Sequence, residues 1–167
     1  RYERGGSWRY EILAPGFKYN MTDIQAAMGL VQLQKLRCFD QRRREIVGQY
    51  NAAFAGEPAL ELPVERRDVR HAWHLYVLRL HTDALRIGRD RVIEELAERN
   101  IGTSVHFIPV HTHPYYRDRY GYEPNDFPVA FSNFGRMLSL PLNARMSNVD
   151  VEDVIDAVLD VVQTYSR

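Results

Sequence analysis

The feature that most constrains the fold is a long run of helical periodicity from Thr22 to Phe54. Thr22 and Gln25 form a T-x-x-Q capping box at its start, and apolar residues recur at helical spacing from Ile24 onwards. The run ends at Gly56-Glu57-Pro58, a sequence that stops a helix. Because each residue adds about 1.5 Å, a continuous helix of this kind spans roughly 50 Å. That is too long for one small compact domain, so we expect it to connect two bodies or to line an interface.

Short strands and helices are predicted after this long helix. The strand candidates occur at Leu60–Pro63, Ala72–Leu80, Thr103–Ile108 and Met137–Leu142. The helix candidates are Arg89–Arg99, a brief helix that begins at Pro128, and Ser147–Tyr165. Between them, His111–Asp126 is predicted to be a long irregular loop, and loops of that length are usually functional or disordered. This part of the chain therefore has a mixed α/β pattern.

Composition excludes several classes of protein. The 22 Lys and Arg residues are balanced by 22 Asp and Glu residues, which argues against a dedicated nucleic-acid binder or a binder of anionic membranes. The single cysteine, Cys38, excludes an intramolecular disulfide framework and suits a reducing cytoplasm. No apolar run approaches the roughly 20 residues that a membrane-spanning helix needs. We therefore expect a cytoplasmic protein that binds neither nucleic acid nor membrane.

The first candidate site is Lys18-Tyr19-Asn20, directly before the long helix. A cationic side chain, a carboxamide and free backbone N–H groups converge there on a helix N-terminus. Such an end binds phosphate readily, because its unsatisfied donors and the helix dipole both favour an anion. The alternative interpretation is an ordinary capped helix with a lysine that faces solvent.

The second candidate site contains three histidines, His106, His111 and His113, followed by Tyr115 and Tyr116. A zinc site is a weak interpretation, since no cysteine lies nearby and no acidic residue occurs within the block. We prefer a polar, aromatic loop that grips an anionic or sugar-like ligand through imidazole and phenol donors. A surface loop with incidental histidines is the third interpretation.

Several motifs resemble one known family. The run Gly16–Leu30 (GFKYNMTDIQAAMGL), continued by Gln32-Leu33 and Leu36, is very similar to the DegT/DnrJ/EryC1/StrS aminotransferases, which act on nucleotide-linked keto-sugars. Further matches fall in the family's order and cover nearly the whole chain: Arg42-Arg43, His74-Leu75-Tyr76, Ile101-Gly102-Thr103, the block from Val105 to His111, Phe127-Pro128, and Leu138-Ser139-Leu140-Pro141-Leu142. As a set these motifs are specific.

The resemblance implies an α+β fold, with a small, mostly antiparallel sheet packed with helices, as in the C-terminal domain of fold-type-I pyridoxal phosphate (PLP) aminotransferases. It divides the chain into the end of a large-domain loop region (1–21), a long connecting helix (22–55) and a C-terminal small domain (56–167). In the family the PLP domain and its Schiff-base lysine lie upstream, and neither Lys18 nor Lys35 matches that lysine. We therefore expect the C-terminal portion only, and expect it to be inactive by itself.

The resemblance also implies site residues. Lys18 or Asn20 would contact the phosphate of the PLP bound by the neighbouring subunit of a homodimer. The substrate-binding residues would be Tyr19, His106, Phe107, His111, His113 and Tyr115. No catalytic residue and no metal ligand is assigned to this chain.

The function implied is amino transfer from glutamate or glutamine to a nucleotide-linked keto-sugar, for cell-surface or secondary-metabolite sugars. Three alternatives stay open. One is a PLP-dependent sugar dehydratase of the same family. Another is a non-catalytic module that binds a sugar nucleotide. The most remote is a metal-dependent hydrolase that uses the three histidines.

Overall fold

A computed structural model describes residues 13–167. Residues 1–12 of the loop predicted at 1–21 therefore lie outside the described part. The chain divides after Leu36 into two compact units, and the second unit comprises Arg37–Arg167. Helix α1 (Asp23–Phe54) contributes to both units.

The predicted capping box at the start of α1 is confirmed. The Thr22 hydroxyl accepts a hydrogen bond from the backbone N–H of Gln25 at 3.3 Å, and the Gln25 side chain accepts one from the backbone N–H of Thr22 at 3.0 Å. Among residues 13–36 of the first unit, the large apolar side chains are exposed: Leu13, Phe17, Tyr19, Met21, Ile24, Met28, Leu30, Val31, Leu33 and Leu36.

The second unit is built on a three-stranded antiparallel sheet in the order β1-β2-β3. The strands are β1 (Leu60–Glu61), β2 (Tyr76–Leu80) and β3 (Met137–Leu140). Four further helices accompany them: α2 (Arg89–Glu98), α3 (Pro114–Tyr120), α4 (Pro128–Arg136) and α5 (Asn148–Tyr165). The α+β fold class expected from the sequence is confirmed.

The core of this unit lies between the sheet, the second part of α1, and helices α2 and α5. Alternate residues of β2 are buried, as a strand with one covered face requires. The buried apolar residues of these helices are Ile46, Val47, Tyr50 and Phe54 of α1, Val92 and Leu96 of α2, and Val151, Val154, Ala157, Val158, Val161 and Val162 of α5. Each large apolar side chain that is fully buried contributes about 1.5–3 kcal/mol to stability.

Two tyrosines join this core through their hydroxyl groups. The Tyr50 hydroxyl donates to the backbone carbonyl of Pro141, and the Tyr76 hydroxyl donates to the side-chain oxygen of Asn51, each at 2.8 Å. Burial raises the pKa of both phenols. Both hydroxyls therefore stay protonated and keep their donor role across the physiological pH range.

The predicted strand at Thr103–Ile108 is wrong. Only Ser104 pairs with β3, through an isolated bridge to Ser139, and the segment then leaves the sheet before Pro109. The predicted start of the second strand at Ala72 is also wrong, because β2 begins at Tyr76. Just before it, the backbone N–H of Trp73 binds the ring of His71, and Trp73 adopts a φ of 45°, which breaks the extended conformation.

The loop predicted at His111–Asp126 contains a helix. Pro114 occupies the first turn of α3, where its fixed φ and missing N–H are tolerated. The helix ends at Gly121, which has a φ of 69°, a conformation that glycine adopts without strain. Short 3₁₀ turns flank α3 on both sides, at Val110–Thr112 and Pro124–Asp126. No helix within residues 13–167 is long and apolar enough to cross a membrane.

Candidate functional site

The helix entrance, defined as Lys18-Tyr19-Asn20, precedes α1 and is exposed. The ring of Tyr19 lies edge-on to that of Phe17, with 6.1 Å between centroids. The capping box uses the N–H of the third helical residue, so the N–H groups of the first two have no intrahelical acceptor. An ammonium group, a carboxamide and two backbone donors are therefore available here to an anion.

His106 is half-buried and is held by one side chain. Its Nδ1 lies 2.9 Å from the hydroxyl oxygen of Ser139 in β3. The neighbouring ring of Phe107 is 73% exposed and packs edge-on against the imidazole at 4.8 Å. The pair thus presents an anchored imidazole beside an exposed aromatic face.

His111 is buried, with 7% of its surface exposed. Its Nε2 lies 3.1 Å from the carbonyl oxygen of Pro124, and its ring centroid lies 4.7 Å from that of Phe127. The imidazole forms one wall of an apolar pocket of about 310 Å³. The other lining residues are Pro109, Val110, Tyr116, Tyr122, Phe127 and Ala130. One ring nitrogen of His111 therefore joins the 3₁₀ turn before α3 to the 3₁₀ turn after it.

His113 and Tyr115 lie at the start of α3 with exposed side chains. The carbonyl of His113 accepts hydrogen bonds from the N–H groups of Tyr116 and Arg117, so the backbone of His113 caps the helix. The ring of Tyr115 packs edge-on against that of Tyr116 at 5.2 Å. Across residues 13–167, no three or more His, Cys, Asp or Glu side chains are grouped so that they could share a metal ion.

The predicted site residues thus fall into two sets. Lys18, Tyr19 and Asn20 belong to the first unit, whereas the histidine block belongs to the second. Within the second unit, His106 contacts β3, while His111 contacts the segment before α4. Sequence reasoning assigned no site role to Ser139, which lies between the apolar residues Leu138 and Leu140.

A model of the DegT/DnrJ/EryC1/StrS aminotransferase family matches residues 2–159. The chain belongs to this family. The resemblance seen in the sequence is therefore confirmed.

Two curated relatives in this family match nearly the whole chain. It is 52% identical over 164 residues to the spore coat polysaccharide biosynthesis protein SpsC of Bacillus subtilis, covering 98% of this chain and 42% of SpsC. It is 49% identical over 162 residues to the uncharacterized protein MJ1066 of Methanocaldococcus jannaschii, covering 97% of this chain and 42% of that protein. The chain thus spans well under half the length of these relatives.

Solved structures show the same fold. Spr1654 of Streptococcus pneumoniae, a proposed sugar aminotransferase, matches in its PLP form with a TM-score of 0.79 and 33% identity, covering 95% of this chain and 40% of that one. Its PMP form matches with a TM-score of 0.80 and 33% identity, covering 94% and 39%. Pyridoxal phosphate is therefore the cofactor of the full-length enzymes of the DegT/DnrJ/EryC1/StrS family.

The helix entrance fits one part of that cofactor. A phosphate group is a multiply charged anion with only oxygen acceptors, and the donors of Lys18, Asn20 and the first turn of α1 are cationic or neutral N–H groups.

Proposed function

We propose that these residues are the C-terminal part of a PLP-dependent aminotransferase that transfers an amino group from glutamate or glutamine to a nucleotide-linked keto-sugar. The observation that carries the proposal is the family match over residues 2–159. The 52% identity to a spore coat polysaccharide biosynthesis protein supports a role in cell-surface sugar synthesis. The single cysteine fits a reducing, cytoplasmic location.

In this proposal the helix entrance holds the phosphate of the cofactor bound by the neighbouring subunit. When bound, the cofactor supplies an electron sink and carries the amino group between the two substrates. Lys18 or Asn20 contributes the charged or amide contact, and the first turn of α1 contributes backbone donors. These groups orient the phosphate and do not themselves transfer a proton.

The second unit contributes substrate contacts. The imidazole of His106 and the exposed side chains of Phe107, His113 and Tyr115 offer donors and aromatic faces to a nucleotide sugar. His111 faces the same ligand through the apolar pocket that it lines. In the helix entrance, Tyr19 is a further proposed substrate-binding residue, as the family resemblance implies. A nucleotide sugar can bind such groups in two ways. Its base can stack on the aromatic rings, and its oxygen atoms can accept hydrogen bonds from the side-chain donors.

A homodimer and a three-part domain organisation complete the proposal. The exposed apolar side chains of the first unit, such as Ile24, Met28 and Val31, are unfavourable in water and favour burial against another protein surface. We assign residues 1–21 to the end of the large domain, 22–55 to the connecting helix and 56–167 to the small domain. By themselves, residues 1–167 are expected to show no turnover, because neither lysine anchors the cofactor.

The proposal is tested with the whole protein that carries this chain, supplied with PLP, glutamate or glutamine, and nucleotide-linked keto-sugars. Mass spectrometry of the product separates an aminated sugar from the dehydrated sugar that the alternative dehydratase would form. If the protein aminates none of the keto-sugar nucleotides but removes water from one of them, the aminotransferase proposal is overturned.

The two lysines allow a matched test of the helix entrance. We expect Lys18→Ala to weaken PLP retention by about tenfold or more, because a charge-assisted contact to phosphate is lost. Lys35→Ala also removes one positive charge, but from within α1, and should leave PLP retention unchanged. Asn20→Ala, measured beside them, shows which side chain makes the contact. Equal PLP retention in all three variants would contradict the assignment.

A further inference from the structure

Ser139 is a polar residue fixed inside an apolar strand. It lies between Leu138 and Leu140 in β3, and only 5% of its surface is exposed. Its backbone N–H donates to the carbonyl of Ser104 at 2.7 Å, and its carbonyl accepts from the N–H of Ser104 at 3.2 Å. Because both backbone groups are engaged, the position of the Ser139 side chain is well defined.

The hydroxyl of Ser139 has one hydrogen-bond partner among residues 13–167, the Nδ1 atom of His106 at 2.9 Å. If Nδ1 carried the imidazole proton, the buried hydroxyl proton would have no acceptor, which is unfavourable. That penalty is avoided when the hydroxyl donates to Nδ1. The single proton of the neutral imidazole then resides on Nε2.

The Nε2 edge of His106 is available to a ligand. In the described part of the chain, the only hydrogen bond of this ring is the one at Nδ1. The ring is half-buried, and the exposed ring of Phe107 packs edge-on against it. An N–H donor with a set direction therefore remains beside an exposed aromatic face.

We propose that Ser139 is a positioning residue, whose buried hydroxyl donates to Nδ1 of His106 and selects the tautomer that offers Nε2–H to an oxygen atom of the nucleotide-sugar substrate. This inference rests on the proposed function, in which His106 contacts that substrate. Diphosphate and sugar oxygens are acceptors that match such a donor. A ring held in one orientation and one tautomer loses less freedom on binding than a mobile one.

The first test observes the imidazole directly and needs no substrate. The whole protein is labelled with ¹⁵N-histidine, and the His106 signals are assigned by their absence in His106→Ala. At alkaline pH we expect the wild-type protein to show Nδ1 unprotonated and Nε2 protonated. Ser139→Thr retains the hydroxyl and should keep this pattern. Ser139→Val has nearly the same shape as Ser139→Thr but lacks the hydroxyl. It should shift the His106 signals towards a mixture of tautomers.

The second test measures ligand affinity with UDP and dTDP by calorimetry, together with steady-state kinetics. We expect Ser139→Val to bind the better of the two nucleotides about tenfold more weakly than Ser139→Thr, as the loss of one oriented hydrogen bond predicts. The KM for the nucleotide sugar should rise by a similar factor, while the KM for the amino donor stays unchanged. In a His106→Ala background, the difference between the Thr and Val variants should vanish, because the hydroxyl acts through His106.

The outcomes separate this inference from the proposed function. Unchanged His106 signals in Ser139→Val overturn the positioning role. A difference between the Thr and Val variants that persists without His106 overturns it too, since the hydroxyl would then act through another group. If the signals shift as expected but His106→Ala binds both nucleotides like wild type, the contact between Ser139 and His106 is confirmed. The substrate role given to His106 in the proposed function is then the part that is wrong.

Discussion

Glu95 shows how one residue stabilises the second unit. Its carboxylate is buried and accepts hydrogen bonds from the Tyr165 hydroxyl at 2.6 Å and from Arg99 at 2.8 Å, and it also pairs with Arg91. These contacts join α2 to the end of α5. The Tyr165 hydroxyl, followed by the guanidinium groups of Arg99 and Arg91, lowers the pKa of Glu95 from 4.5 to about 2, although desolvation opposes the shift.

This depressed pKa predicts a pH-dependent stability. Because the folded-state pKa lies below the unfolded value, the stabilisation is fully present above about pH 4.5 and is lost as the pH falls towards 2. Glu95→Gln should therefore lower the Tm at neutral pH, and the difference from wild type should shrink as the medium is acidified from pH 5 towards about pH 2. Thermal unfolding followed by circular dichroism measures this.

The control for this prediction is Glu98→Gln. Glu98 lies on the same helix, but its side chain is 63% exposed and reaches Arg91 only at 3.6 Å. We expect almost no change in Tm, since exposed ion pairs contribute little. A Glu95→Gln deficit of constant size from pH 7 to pH 2.5 would show that the loss is one of packing and not of charge.

The sequence predicted side-chain contacts between residues that are close together in the chain. The capping partners Thr22 and Gln25 are three residues apart, so their types and spacing alone identify the contact. Ser139 and His106 are 33 residues apart, and their contact depends on the backbone bridge at Ser104. No local pattern encodes that bridge, which is why sequence reasoning assigned a ligand role to His106 and none to Ser139.

At the scale of elements, the long helix and α5 were predictable, whereas the short elements were not. Helices α1 and α5 have capping boxes and long periodic stretches, and their observed starts lie one residue after the predicted capping residues. Thr103–Ile108 has strand-forming residues, but strand formation depends on a partner edge, and only Ser104 meets β3. Helix α3 is seven residues long, too short for a clear period.

The start of α1 carries the element-scale prediction. Thr22→Ala removes the hydroxyl that accepts the Gln25 N–H, and loss of such a cap costs about 1 kcal/mol. We expect faster hydrogen exchange in the first turn of α1 and weaker PLP retention, because the donors around the phosphate lose their alignment. Exchange is read by mass spectrometry on peptides that cover residues 17–30.

Thr22→Ser is the matched control, since it keeps the hydroxyl and removes only a methyl group. It should exchange like wild type. Faster exchange in Thr22→Ala without any loss of PLP would show that the capped first turn is not part of the phosphate site.

At the scale of the whole molecule, the two units differ in how their apolar residues are used. The second unit buries its own core, with Tyr50, Phe54 and Leu78 almost fully enclosed. In the first unit, Ile24, Met28 and Leu33 are at least 64% exposed. A surface of this kind favours contact with further protein, and it adjoins in sequence the residues to which we assign the phosphate contact. This combination supports the shared active site of the proposed homodimer.

A shared site predicts complementation between two impaired proteins, assayed at a PLP concentration that leaves Lys18→Ala largely without cofactor. One carries Lys18→Ala, and the other lacks the cofactor-anchoring lysine that we propose lies outside residues 1–167. If Lys18 serves the neighbouring subunit, a mixed dimer contains one site with both lysines intact. With random pairing, co-expression should restore about a quarter of wild-type activity. If Lys18 serves its own subunit, no site in any dimer has both lysines, and activity stays at the level of the separate variants.

The control combination replaces Lys18→Ala with Lys35→Ala. That variant should be active alone, so mixing it with the protein that lacks the anchoring lysine only dilutes its activity. Titrating the expression ratio distinguishes the two cases, because complementation is maximal at equal amounts whereas dilution falls steadily. A steady fall for the Lys18→Ala pair would show that Lys18→Ala is active by itself, and Lys18 would then not be the residue that makes the phosphate contact.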